Sequence, residues 1–174
     1  MTALSVVDEL SRRSVGMTMR AIRRWLGSRA SHGWALLTRA VVFGVRGVVR
    51  RPDGAVLLVR HTYLPGWYLP GGAIDPGETA ADAFAREVAE ETGVRLATPP
   101  RLLSLHLNRR VSRRDHVAFF LAETEAVGLG RSPSPLEIAE IGFFVPDDLP
   151  AQTTDATRRR LAEVFAGLPP SSDW

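Results

Sequence analysis

Four glutamates and one arginine stand close together near the middle of the chain, at intervals that suit the binding of a divalent cation. Five residues separate Gly72 from Glu78, seven more lead to the pair Arg86-Glu87, and Glu90-Glu91-Thr92-Gly93-Val94 closes the run. Pro70-Gly71-Gly72 and Asp75-Pro76-Gly77 are turn-forming clusters, because glycine tolerates positive φ and proline fixes its own. A helix is expected from about Thr79: Ala80, Ala81, Ala83 and Ala85 favour it, and Gly93 stops it. At about 100° per residue, Phe84, Val88, Ala81 and Ala85 share one face. Glu87, Glu90 and Glu91 then fall on a solvated opposite face, within an arc of roughly 100°.

Three clustered carboxylates repel one another unless a cation sits among them. Oxygen-only clusters suit Mg²⁺ or Mn²⁺, which take hard ligands and keep several waters. Arg86, beside Glu90, is placed to hold a carboxylate in one rotamer. The plainer alternative is a solvated acidic helix face, the usual fate of a charge run. The coincidence of loop, Glu78, Arg-Glu pair and Glu-Glu-X-Gly ending favours the metal.

Residues 72–94 resemble the Nudix box, Gly-x5-Glu-x7-Arg-Glu-U-x-Glu-Glu-x-Gly-U with U aliphatic. Gly72, Glu78, Arg86, Glu87, Val88, Glu90, Glu91, Gly93 and Val94 occupy its defined positions. The resemblance implies an α+β fold, a Nudix-like α/β/α sandwich with a mixed sheet between helices. It also implies metal-dependent hydrolysis of a nucleoside diphosphate linked to another moiety, or of a nucleotide. Carried over by position, Glu87, Glu90 and Glu91 would be metal ligands together with the carbonyl of Gly72. Arg86 would orient the carboxylates and Glu78 would brace the turn into the helix. Glu90 or Glu91 would take the proton of the attacking water, unless a glutamate outside the box does so; Glu137, ahead of the aromatic strand, is that candidate. An RNA 5′-end pyrophosphohydrolase and a non-catalytic Nudix-fold binding module are the alternative readings.

The substrate is less legible. The Ser-Gln-Pro-Trp-Pro-Phe-Pro array that the family associates with NADH is absent. Arg109 and Arg110 stand where ADP-ribose hydrolases of the family carry a proline. The tyrosine of dinucleoside polyphosphate hydrolases and the coenzyme A signature are also missing. Arg109, Arg110, Arg113 and Arg114 form the densest basic cluster behind the N-terminal stretch. Their guanidinium forks match phosphate oxygens, and a solubilising hairpin tip explains them equally well. His61, Trp67 and Tyr68 are weak candidates for a nucleobase pocket, since aromatic residues near turns more often pack on their own domain. His106 and His116 read as structural residues on strands.

Elements that would position these groups follow from hydropathy. Valine-rich residues 40–49 and 55–59 flank Arg51-Pro52-Asp53-Gly54 and read as a hairpin. Residues 102–108 and 116–122 read as two further strands. The second of these is almost wholly apolar, so it should be buried on both faces. Residues 140–144 complete the strands, 155–165 form a last helix, and only the segment over 131–135 looks flexible.

The chain of 174 residues, 45% hydrophobic, has no cysteine, so disulfides and thiolate metal sites are excluded. It shows no signal peptide and no apolar run of the roughly 18 residues that would span a membrane, so a cytoplasmic location is expected. All 22 basic residues are arginine. Residues 1–39 hold seven arginines against Asp8 and Glu9, and residues 40–174 hold 15 against 17 acids. The basic character therefore belongs to an N-terminal extension over 1–39, ahead of a Nudix domain over 40–174. Val15, Met19, Ile22 and Leu26 give that extension an apolar helical stripe among arginines. Such a helix can meet nucleic acid or an anionic membrane surface. Packing on its own domain or in a homodimer is the commoner use of that spacing. The main partner expected is a nucleotide-type small molecule.

Overall fold

Alternating and continuous apolar runs become strands where the sequence places them. A computed structural model describes residues 40–174; the extension over 1–39 lies outside the described residues. The elements are β1 (Val42–Arg50), β2 (Val56–His61), α1 (Ala80–Thr92), β3 (Arg101–Leu107), β4 (Asp115–Glu123), β5 (Ile138–Phe144) and α2 (Asp155–Phe165). The turn between β1 and β2 is closed by Arg51 pairing with Asp53, whose carboxylate also accepts from Ala55 N–H at 3.1 Å.

One mixed sheet results, in the order β3-β4-β1-β2-β5. β1 and β4 run parallel, from Val42 opposite Asp115 to Arg50 opposite Glu123. The other three pairings are antiparallel. The parallel pair needs a long crossover, and the stretch carrying α1 and β3 supplies it.

Among the described residues, one helix packs on each face of the sheet. Val45, Val49, Leu57, Ala118 and Phe120 meet Ala83, Phe84 and Val88 of α1, with the Phe84 and Phe120 rings stacked 5.5 Å apart. On the other face Val48, Val56, Leu58 and Phe119 meet Leu161 of α2. β4 contributes Phe119 to one layer and Phe120 to the other, which is why its run is continuously apolar. β5 starts two residues earlier than its hydropathy suggests, because Ile138 pairs with His61 across a register shift. The chain's last residues cover the β3 edge: Leu107 N–H donates to Ser172 O and Trp174 N–H to Leu107 O. Among the described residues no helix is long and apolar enough to cross a membrane.

Candidate active site

The site is built where the loop before α1 passes the start of β1. Gly71, at φ 141°, lies so close to β1 that a Cβ there would sit 2.0 Å from the Val45 carbonyl oxygen. Val45 N–H donates to Gly72 O at 2.8 Å, which fixes the direction of that carbonyl and leaves its second lone pair. A Cβ on Gly72 would fall 2.5 Å from the carboxyl carbon of Glu87. The backbone is bare there because a carboxylate occupies the space.

Helix α1 starts at Thr79, whose hydroxyl accepts from Asp82 N–H at 3.2 Å. It stops at Gly93 with φ 72°. Its last carbonyls are held from outside: Ser134 Oγ donates to Glu90 O at 3.0 Å, and Ser132 Oγ donates to Glu91 O. The segment over 131–135, which looks flexible in sequence, is thus tied to the end of α1. Serine hydroxyls satisfy carbonyls that a helix end leaves without partners, a tertiary contact that composition does not reveal.

Arg86 gathers the carboxylates. Its Nε and one terminal nitrogen grip Glu78 at 2.9 and 3.0 Å, and that same nitrogen reaches Ala73 O at 3.1 Å. The other terminal nitrogen bonds Glu87 at 2.9 Å and Glu90 at 3.1 Å. These charge-assisted bonds hold the guanidinium well above its usual pKa, the Glu78 bond contributing most, and hold Glu78 below the usual carboxylate range. Glu78 also accepts from Asp75 N–H at 3.2 Å, a bond across the turn before α1.

Glu91 departs from the expected solvated face. It is only 6% exposed. One of its oxygens accepts Gly71 N–H at 2.9 Å. Burial, above all, pushes its carboxyl up to about 7, and the neighbouring charges of Glu87 and Glu137 add to the rise. Glu87 is raised too, first by burial and then by Glu90, against the pull of Arg86. Glu90 stands in the open at 57% exposure.

This donor set fits a divalent cation. Glu87 and Glu91 share Gly71-Gly72 as their wall, burial raises the proton affinity of both, and the Glu87 charge raises that of Glu91 further, which a positive ion would offset. Among the described residues no three acidic or histidine side chains converge to enclose an ion as they stand, since Arg86 holds Glu87 and Glu90. Ligation would require those two to turn from the guanidinium.

The model of the NUDIX domain matches residues 41–165 of the chain. The chain belongs to the Nudix hydrolase family. A MutT-like protein of Streptomyces ambofaciens is 32% identical over 126 residues, covering 72% of this chain and 78% of that protein. An ADP-ribose pyrophosphatase of Methanocaldococcus jannaschii is 30% identical over 114 residues, 64% of this chain and 66% of the relative. The crystal structure of a MutT NUDIX hydrolase from Burkholderia pseudomallei superposes with a TM-score of 0.59 at 31% identity, over 71% of this chain and 98% of that one.

The Nudix box thus brings Gly72, Glu78, Arg86, Glu87, Glu90 and Glu91 together, and other candidates sort by place. His61 is buried beside Glu91, its ring 5.5 Å from that of Tyr68. Glu137 is exposed, and its charge is felt by both His61 and Glu91. Trp67 packs edge-on to Phe144, 4.9 Å away, in the core under α2. It is separated from Tyr68 by the alternation of an extended chain. Arg109 bonds Asp173 at 2.7 Å, while Arg110 and Arg113 are exposed on the β3–β4 turn. Arg46 is the residue that sequence reasoning missed. It donates to Leu69 O at 2.7 Å, lies 5.9 Å from the Tyr68 ring centre, and lowers the proton affinity of Glu87, Glu91 and His61. An arginine amid valines on a strand was its one signal.

Proposed function

We propose that this Nudix hydrolase is a Mg²⁺- or Mn²⁺-dependent pyrophosphohydrolase of a nucleoside diphosphate linked to another moiety, or of a nucleotide. The supporting observation is the buried Glu91 beside the half-buried Glu87, two carboxylates whose charges are unfavourable until a cation joins them. Glu87, Glu90, Glu91 and the Gly72 carbonyl would hold the ion. When bound, a divalent ion screens a diphosphate and makes water more acidic.

The chain's own groups do the rest. Arg86 keeps Glu78, Glu87 and Glu90 in register. Arg46 sets a fixed positive charge beside the pocket. In hydrolysis a water oxygen bonds to phosphorus while the bridging P–O bond breaks, and one water proton must leave to a base. Glu90 and Glu137 are solvent-open carboxylates suited to receive it. The Methanocaldococcus relative named for ADP-ribose supports a diphosphate linking two moieties as the substrate class.

The test is a Mg²⁺-supported panel of nucleotide sugars, dinucleotides, NTPs and triphosphorylated RNA, scored by the products released. Glu90→Gln and Glu91→Gln should each abolish turnover, by a factor of at least about 10². A Glu90→Gln or Glu91→Gln protein at the wild-type rate removes that residue from the mechanism. Cleavage of triphosphorylated RNA alone would turn the assignment to RNA 5′ ends.

A further inference from the structure

One buried polar ring at the site has no assigned work. His61 ends β2, where the pairing with β5 skips Ala139, and strand alternation puts it on the face of Leu57, which packs with α1. It is 6% exposed, and among the described residues neither Nδ1 nor Nε2 has a hydrogen-bond partner. Tyr63 and Tyr68 enclose it with ring centres 5.3 and 5.5 Å away. A phenylalanine would fill that aromatic slot without leaving polar atoms unpaired, and such unpaired atoms are rare in folded proteins because they are unfavourable.

Glu91 stands beside the ring. Nε2 lies 4.0 Å from Oε1, too far for a hydrogen bond and short of the roughly 4.5 Å that a water spans when it bonds both atoms at its tetrahedral angle. The other carboxylate oxygen, Oε2, accepts from Gly71 N–H. Glu91 is therefore gripped on one side and faces an idle imidazole on the other. The charged groups around the ring are Arg46, Glu91 and Glu137. Burial and Arg46 favour its neutral form.

We propose that His61 is a positioning residue for Glu91: when Glu91 engages a divalent ion, the 4.0 Å gap closes to an Nε2–H donation onto Oε1. Gly71 N–H and His61 then hold the two oxygens of one carboxylate and set its rotamer. The inference rests on the reading that the box carboxylates bind the ion. Outer partners of this kind change metal affinity by about 10–100-fold when removed.

The experiment measures Mn²⁺ binding to the full chain, without substrate, by the EPR signal of free Mn²⁺. His61→Phe should weaken binding by about 10–100-fold, while melting in EDTA no lower than the wild type. His61→Gln restores an N–H donor at a similar reach and should bind within about threefold of wild type. A His61→Phe protein that binds Mn²⁺ as the wild type does overturns the proposal. So does electron spin echo modulation showing an imidazole nitrogen directly on the Mn²⁺. Should His61→Phe misfold, the wild-type protein decides: the ¹⁵N shift of Nε2 must move during a Mg²⁺ titration, and an unchanged shift at saturation refutes the contact. A wild type that binds no Mn²⁺ removes the metal reading as well, a result distinct from equal binding by wild type and variant.

Discussion

Replacing Arg86 by alanine tests whether one guanidinium holds the acidic cluster together. Arg86 makes contacts of 2.9–3.1 Å with Glu78, Glu87, Glu90 and Ala73 O. Its side chain is 29% exposed, and those of Glu78 and Glu87 are each 17% exposed. An exposed pair contributes about 0–1 kcal/mol, and removing one partner of a fully buried pair costs about 3–5 kcal/mol. This half-buried network lies between, so Arg86→Ala should lose about 2–3 kcal/mol. For a domain of this size that is a fall in Tm of roughly 6–12 °C. Arg86→Lys retains the charge without the fork and should lose about half as much. The assays are thermal and urea unfolding of wild type, Arg86→Ala, Glu78→Gln and the double variant in EDTA. The cycle should return a favourable, non-zero coupling between Arg86 and Glu78. A Tm within about 2 °C of wild type, or a coupling near zero, would show that the carboxylates need no internal counter-ion and refute the reasoning.

Three other outcomes follow from particular contacts. Gly72→Ala puts a Cβ into the space of the Glu87 carboxylate; since a side-chain end can move aside, Tm should hold within a few degrees while kcat falls by about tenfold or more, measured on the best substrate of the panel. Trp67→Ala should lose about 2–3 kcal/mol in urea unfolding, less than the roughly 3–5 kcal/mol of a fully buried Trp, whereas Trp67→Phe should leave KM unchanged, because the half-buried indole packs on Phe144 against the core. The third concerns pH. His106 is fully buried against Arg160, with Glu163 and the Ser171 carbonyl also beside it, and burial followed by Arg160 depresses its pKa below 6.5. Because the unfolded chain takes up that proton first, stability should be complete above about pH 6.5 and fall as pH drops towards the folded pKa. His106→Asn should flatten that slope in Tm against pH, and an unchanged slope would contradict it.

Local chemistry made much of this protein readable as a string of residues. Thr79 and Gly93 bound α1 because capping depends on neighbours a few residues away. β4 was legible as an interior strand because both faces demand apolar side chains along 116–122. The box placed its glutamates by helical periodicity, and Arg86 and Glu78 came into contact because both flank one turn of loop and helix. What needed the folded chain were encounters between distant segments. The burial of Glu91 depends on Gly71 and His61 closing over it. The serines at 132 and 134 reach the end of α1 across more than 40 positions. Tyr68 joins His61 at the site, while Trp67 turns into the opposite core, a division set by which face of the sheet each residue meets. Arg46 gains its place beside the carboxylates only through the packing of β1 on the loop before α1. Periodicity ranks a residue by the face it occupies on its own element, but desolvation and charge pairing come from whatever other elements are packed against that face.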